Sequence, residues 1–175
     1  IQAAIDYAYN AGQGGTVYLL SGQFNIASSS IQLATSSRLI GQGSSTILRL
    51  VDNAEVPTDA GMLAANQAHY TYVGHLHLEG NKVNNGSGNN RGIYFDTTAS
   101  STIEGVIAND FGNIGFYLLS SANNTLTGNT ASGNSGDGYY LTNANNNHLT
   151  GNTASGNGFS GFYLFQSEGN TLTGN

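Results

Sequence analysis

Four tyrosines, Tyr94, Tyr117, Tyr140 and Tyr163, recur at intervals of 23 residues. A phenol joins an apolar ring to a tip that both donates and accepts hydrogen bonds. Repeated along a surface, it suits a linear sugar polymer. The stretch 79–91 carries Lys82 and Arg91, half of the four basic residues in the chain. A cation there could meet a glycan carboxylate. With a strongly lowered pKa, either one could act as a base, with Tyr94 or Tyr117 as the acid. These six residues are the candidate glycan-binding set, and Lys82 and Arg91 are the candidate catalytic pair.

Two other groups have donor chemistry. Asp52, Glu55 and Asp59 offer oxygens for calcium around Pro57. Their spacing matches no calcium-loop motif, so 52–61 reads as a solvated, protruding loop. His75 and His77 read as lying two apart on one strand, pointing the same way, with His69 as a third donor for a metal. No further carboxylate or histidine completes that set. The reading is exposed strand histidines, with no metal site and no cofactor.

The elements that must position the tyrosines come from repetition. GFYL at 115–118, GYYL at 138–141 and GFYL at 161–164 share one register. Ile103, Leu126, Leu149 and Leu172 form a second column, and Asn124, Asn147 and Asn170 a third. A period in this range marks a solenoid. Gly, Asn, Thr and Ser between the columns oppose helix and favour turns. Apolar residues alternate over short bursts, which reads as strand with one face buried. The prediction is an all-β, single-stranded, right-handed parallel β-helix with 23-residue coils. Ile93, Phe116, Tyr139 and Phe162 should stack inward, with Phe95, Leu118, Leu141 and Leu164 beside them. The Tyr139 hydroxyl then needs a buried partner. Alternation sends the four tyrosines outward, as an exposed ladder about 14 Å long. The asparagines should stack at a turn.

Upstream, Ile1, Ala4, Ile5, Ala8 and Ala11 follow helical spacing up to Gly12, which predicts a capping α-helix over 1–11. Residues 12–175 are then the β-helix. Strands are predicted at 16–20, 24–26, 31–33, 38–40, 46–51 and, as a pair, 70–78. Val73 and Ile103 read as one column but lie 30 apart, so 79–91 holds seven inserted residues. A loop that breaks a repeat and carries rare charges is a place for function. The chain stops at Asn175 inside its pattern, so the reading is truncation, with further coils C-terminal to Asn175 as partners.

The charge balance excludes some partners. Charged residues make up 8%, the net charge is −6, and cysteine is absent. Nucleic acid and anionic membrane surfaces require basic patches that four cations do not supply. No run approaches the length of a membrane-spanning helix. From 101 to 175 there are Glu104, Asp110, Asp137 and Glu168 and no Lys or Arg, so a neutral or weakly acidic glycan fits this face better than a polyanion.

The opening IQAAIDYAYNAGQGGTVYLLSGQF, at 1–24, resembles the first coil of the pectate-lyase-like β-helix superfamily. With RLIGQGSSTILRLVDN at 38–53 and HLHLEGNKVNN at 75–85, it is most similar to the catalytic module of mannuronan C5-epimerases. The tail coils resemble NosD-like β-helix repeats. The resemblance implies an extracellular or cell-surface protein acting on polysaccharide. It implies a base that removes the C5 proton and a cation that neutralises the neighbouring carboxylate. The epimerase motif Tyr-Gly-Phe-Asp-Pro-His-Glu falls here on Ile114, Gly115, Phe116, Tyr117, Leu118, Leu119 and Ser120. Its Tyr, Asp and His are replaced by Ile114, Tyr117 and Leu119. Lys82 and Arg91 are the nearest substitutes for the family's lysine.

Two functions follow. One is a secreted carbohydrate-active β-helix, lyase- or epimerase-like, that holds a linear glycan along the tyrosines. The other is a non-catalytic surface or adhesion solenoid whose columns serve stability alone. The missing acid–base set favours the second. The capping helix, the insertion and the epimerase-like opening favour the first.

Overall fold

The computed structural model describes residues 1–8, 10, 14–27, 30–54, 56, 57, 59–85 and 90–175. These form three all-parallel sheets around one core, the architecture of a right-handed parallel β-helix. The first sheet stacks Thr16–Tyr18, Arg38–Ile40, Tyr72–Gly74, Thr102–Glu104, Thr125–Thr127, His148–Thr150 and Thr171–Thr173. The second stacks Gly22–Ile26, Thr46–Leu50, His77–Glu79, Ile107–Asn109, Thr130–Ser132 and Thr153–Ser155. The third stacks Ile31–Leu33, Leu63–Asn66, Ile93–Asp96, Phe116–Leu119, Tyr139–Thr142 and Phe162–Phe165. Short strands suffice because each coil borrows the hydrogen bonds of the next.

Columns follow the register. Phe116 pairs with Tyr139, and Tyr139 with Phe162, with rings 4.7 and 4.6 Å apart and interplanar angles of 4°. Ile93, Phe95, Phe116, Leu118, Tyr139 and Leu141 are all fully buried. The Tyr139 hydroxyl finds the Thr153 carbonyl at 3.5 Å. Burial drives its pKa far above the ordinary tyrosine range.

At one corner Asn124, Asn147 and Asn170 hydrogen-bond in series. Asn147 Oδ1 accepts from both the backbone N–H and Nδ2 of Asn124, and Asn170 Oδ1 does the same for Asn147. Each Nδ2 also donates to a carbonyl one coil back, Thr98 for Asn124 and Ser121 for Asn147. The same pattern recurs with Asn129, Asn152 and Asn175, and with Asn134 and Asn157. These amides, buried except at the last coil, satisfy corner N–H groups that no strand can reach.

The N-terminal part departs from the period. The first helix, α1, spans Gln2–Ala8 and packs against Thr16–Tyr18 and Ile31–Leu33 through Ile5, while Ala4 faces solvent. The predicted end at Ala11 and Gly12 lies outside the described residues. Leu48 to Ala65 and Leu78 to Phe95 each take 17 positions, where Ala108 to Leu118 takes 10. Two successive coils therefore carry extensions of equal size at the same corner, 51–62 and 80–92.

The first extension corrects the expectation of a solvated loop. Ala54, Val56 and Ala60 are buried, because the two loops lie against each other. Ala54 N donates to Asn85 Oδ1 at 2.8 Å and Val56 N to Asn90 Oδ1 at 3.1 Å. Asn85 Nδ2 answers to the Val51 carbonyl at 2.9 Å. Side-chain amides thus continue the ladder where backbone pairing lapses.

Candidate functional site

Strand alternation places Tyr94, Tyr117, Tyr140 and Tyr163 on the outer surface of the third sheet, each paired with the next. Ring centroids are 5.2, 4.9 and 5.2 Å apart along the column. Exposure is graded, which corrects the picture of a uniformly exposed ladder. Tyr94 is only 5% exposed and Tyr163 is 42%. Below Tyr94 the same column holds Ala64, also buried. Cover at this end comes from the two loops. Arg91, at the end of the second one, lays its guanidinium over Tyr94 and Tyr117 at 5.4 and 5.2 Å from the ring centres. Arg91 also donates to the Ala60 carbonyl of the first loop.

The rings themselves are turned toward one another. The interplanar angle falls from 63° at Tyr94–Tyr117 to 15° at Tyr140–Tyr163. Faces are turned to neighbouring rings along the column, and the part open to solvent is Tyr117, Tyr140 and Tyr163. None of the four hydroxyls has a hydrogen-bond partner among the described residues. Two positions along each strand runs a flanking column of Asp96, Leu119, Thr142 and Phe165. Phe165 is 46% exposed, and Leu119 is half-buried.

The electrostatics follow from burial. Desolvation pushes the Tyr94 hydroxyl up to about 12, and the Asp96 carboxylate adds to it. Tyr117 is raised by burial first and by Tyr140 second. Burial lowers the Arg91 pKa, while Tyr117, Tyr94 and Asp59 work in the opposite direction. Sequence reading missed Asp96 and Asp59 as members of this group. Alternation from Tyr94 could have found Asp96, but nothing in the sequence announces that 51–62 folds against Arg91.

Lys82 is not brought to the tyrosines. Its ammonium bonds to the Gly133 carbonyl and lies 3.6 Å from Asp110 Oδ1. The loop therefore sends one cation to the column and ties the other down on the far side of the corner. Arg49 is held by Glu79 and Asn81. Arg38 sits 4.3 Å over the Tyr72 ring, whose hydroxyl donates to Glu104 at 2.9 Å.

The histidines stand differently from expectation. His75 and His77 do not share a strand. His75 occupies the corner between Tyr72–Gly74 and His77–Glu79 at φ 56°, and His77 Nε2 lies 2.6 Å from Asn109 Oδ1. Asp52 accepts hydrogen bonds from Asn81 and Asn84, and Glu55 lies outside the described residues. Among the described residues no three His, Asp or Glu converge as metal ligands. None of the helices there is long and apolar enough to cross a membrane.

A family model described as periplasmic copper-binding protein (NosD) matches residues 16–175. Copper favours sulfur and imidazole donors. The chain has no cysteine, its one methionine, Met62, is fully buried, and no histidine cluster exists among the described residues, so this donor set does not fit the metal. No curated protein matches the chain in sequence.

Several solved structures share the fold. A protein of Parabacteroides merdae described as a glycosyl hydrolase superposes with a TM-score of 0.78 at 15% identity, over 98% of this chain and 84% of its own. The A-module of a mannuronan C-5 epimerase from Azotobacter vinelandii gives 0.69 at 27% identity, over 93% and 54%. The catalytic domain of a GH87 α-1,3-glucanase, bound to nigerose, gives 0.75 at 21%, over 94% and 30%. The chain thus spans about half of the epimerase module and under a third of the glucanase domain. Its structural neighbours include carbohydrate-active β-helix enzymes.

Proposed function

The chain belongs to the NosD family, and on that premise we propose that it is a β-helix scaffold that binds a linear glycan outside the cytoplasm. The glycan lies along Tyr94, Tyr117, Tyr140 and Tyr163, with Arg91 at the covered end. The observation that carries this reading is the row of four outward tyrosines, their hydroxyls unpartnered within the described residues and their ring centres 4.9 to 5.2 Å apart, beside a cation held on two of the rings. Outward phenols repeated coil by coil give a polymer the same kind of contact many times over. The epimerase and glucanase neighbours add support at the level of fold, and the periplasmic description of the family supports the location. The epimerase Asp and His are absent from this strand, so the proposal is binding. Lys82, tied to Asp110 and Gly133, holds the loop that presents Arg91.

Affinity electrophoresis against alginate, pectate and neutral glycans tests the reading. Retention by at least one glycan is expected, and Tyr117→Ala with Tyr140→Ala should abolish it in a folded protein. Unchanged retention of the double variant would remove the tyrosine column from the site. Unsaturated ends released from a uronate polymer would instead assign a lyase, with Arg91, whose pKa burial lowers, as its base.

A further inference from the structure

We infer that the preferred ligand is an uncharged, extended glycan of 1,4-diequatorially linked pyranoses, running parallel to the solenoid axis with one sugar residue per coil. The inference rests on the glycan-binding reading and adds its linkage class, direction and charge. The column fixes the direction: successive tyrosines rise one coil at a time, and their rings are separated by 5.2, 4.9 and 5.2 Å. A bound polymer keeps contact with every tyrosine only if its own repeat equals the rise of a coil. When both glycosidic bonds of a pyranose are equatorial, the linkage oxygens sit at opposite ends of the ring. The chain then advances by nearly the whole ring length, close to one coil spacing. One axial and one equatorial bond, as in an α-1,4-glucan, shorten the advance and curl the chain, so that it leaves the column after one or two contacts.

Such a ribbon turns over at every residue and offers alternate edges to the protein. A phenol tolerates this, because its hydroxyl both donates and accepts. The ring faces are turned to neighbouring rings along the column, so the C–H faces of the sugars must rest elsewhere. The flanking column supplies Leu119 and Phe165 for that purpose. Charge follows from the same surface. Asp96 stands in the flanking column, and no Lys or Arg follows Arg91 in the chain. A polyuronate would be attracted at Arg91 and repelled beyond it.

The test is a length series of β-1,4-gluco- and β-1,4-manno-oligosaccharides, against α-1,4-gluco-oligosaccharides and oligomannuronates, titrated calorimetrically into this chain. The first two series should gain about 2- to 10-fold in affinity per added residue, the worth of one net hydrogen bond, up to three residues on Tyr117, Tyr140 and Tyr163, since Tyr94 is covered. Tyr163→Phe keeps the ring and removes the hydroxyl at the open end, so it should weaken trisaccharides and leave disaccharides, which can sit on Tyr117 and Tyr140, unchanged. Affinity that is flat with length, or equal for the α-1,4 series, would overturn the matched repeat while leaving glycan binding intact. Oligomannuronates binding as tightly as the neutral series would overturn the charge preference. Absence of binding to every oligosaccharide and to the polymers would overturn both this inference and the reading beneath it.

Discussion

The two halves of this solenoid solve one problem in different ways. From Ile103 onward each coil takes 23 residues, and Leu126, Leu149 and Leu172 follow in register. Before it, Leu39 to Val73 takes 34 positions and Val73 to Ile103 takes 30. The regular half repeats one set of solutions: stacked rings inside and shared amides at the corners. The irregular half pairs its corners through loop asparagines and holds all four cations, Arg38, Arg49, Lys82 and Arg91. Their meeting point is the covered end of the tyrosine column, where Arg91 from one half lies on Tyr117 of the other. In a fold built by stacking, variation at one corner leaves the other two in register, so a site can be added without disturbing the core.

The comparison breaks most readily at the corner amides. Asn147 is fully buried, and its side chain accepts two hydrogen bonds from Asn124 and donates to Ser121 and Asn170. Asn147→Ala strands a buried N–H of Asn124 and the Ser121 carbonyl, and should cost about 3 kcal/mol. The contrasting change at an exposed loop amide, Asn84→Ala, removes contacts to Asp52 and Asn81 outside the ladder and should cost under about 1 kcal/mol. Urea denaturation of both variants checks the contrast. Equal losses would mean that an exposed loop amide bears as much of the structure as a buried coil amide.

Alkali sharpens it next. Tyr139 is fully buried in the regular core, and burial raises its pKa well above the unfolded value of 10.0. The folded protein therefore keeps a proton that the unfolded chain releases. Stability is fully present below pH 10 and falls above it, by about 1.4 kcal/mol per pH unit from this one group. Tyr139→Phe should remove that slope and leave the neutral-pH stability within about 1 kcal/mol, because the hydroxyl has only a 3.5 Å contact to lose. Tyr94, raised to about 12, contributes a shorter window of the same sign. Denaturation midpoints from pH 9 to 11 for both proteins decide it.

The legible part of the molecule was the part that repeats. Phe116, Tyr139 and Phe162 announce their column because 23 is constant there, and both the fold and the tyrosine register follow from it. The second extension was visible as a 30-residue gap between Val73 and Ile103. The first was not, because 51–62 falls in a coil whose first corner is also longer, so no period remains against which to measure it. The burial of Tyr94 and the presence of Asp59 depend on how those loops pack together, which is a tertiary property. Alternation puts a side chain on a face but does not say whether a loop covers it. The same limit separated Lys82 from Arg91. Eight residues of loop lie between them, and only its path decides which side of the corner each one reaches.

His75 offers the smallest test. Its position corresponds to Gly41 one coil back and to Gly105, Gly128, Gly151 and Gly174 further on, at the corner between the first two sheets. Gly105, Gly128 and Gly151 have φ near 60°, and His75 takes 56° with a full side chain. That conformation crowds Cβ against the following carbonyl and costs a non-glycine residue about 1 kcal/mol. The ring gains little in return, since its neighbour across the coil is Gly105. His75→Gly should therefore stabilise the irregular half by up to about 1 kcal/mol, which appears as a rise of a few degrees in Tm. A fall instead would mean that the imidazole contributes more at this corner than its strain costs, and would make His75 the first residue to examine for a role outside the tyrosine column.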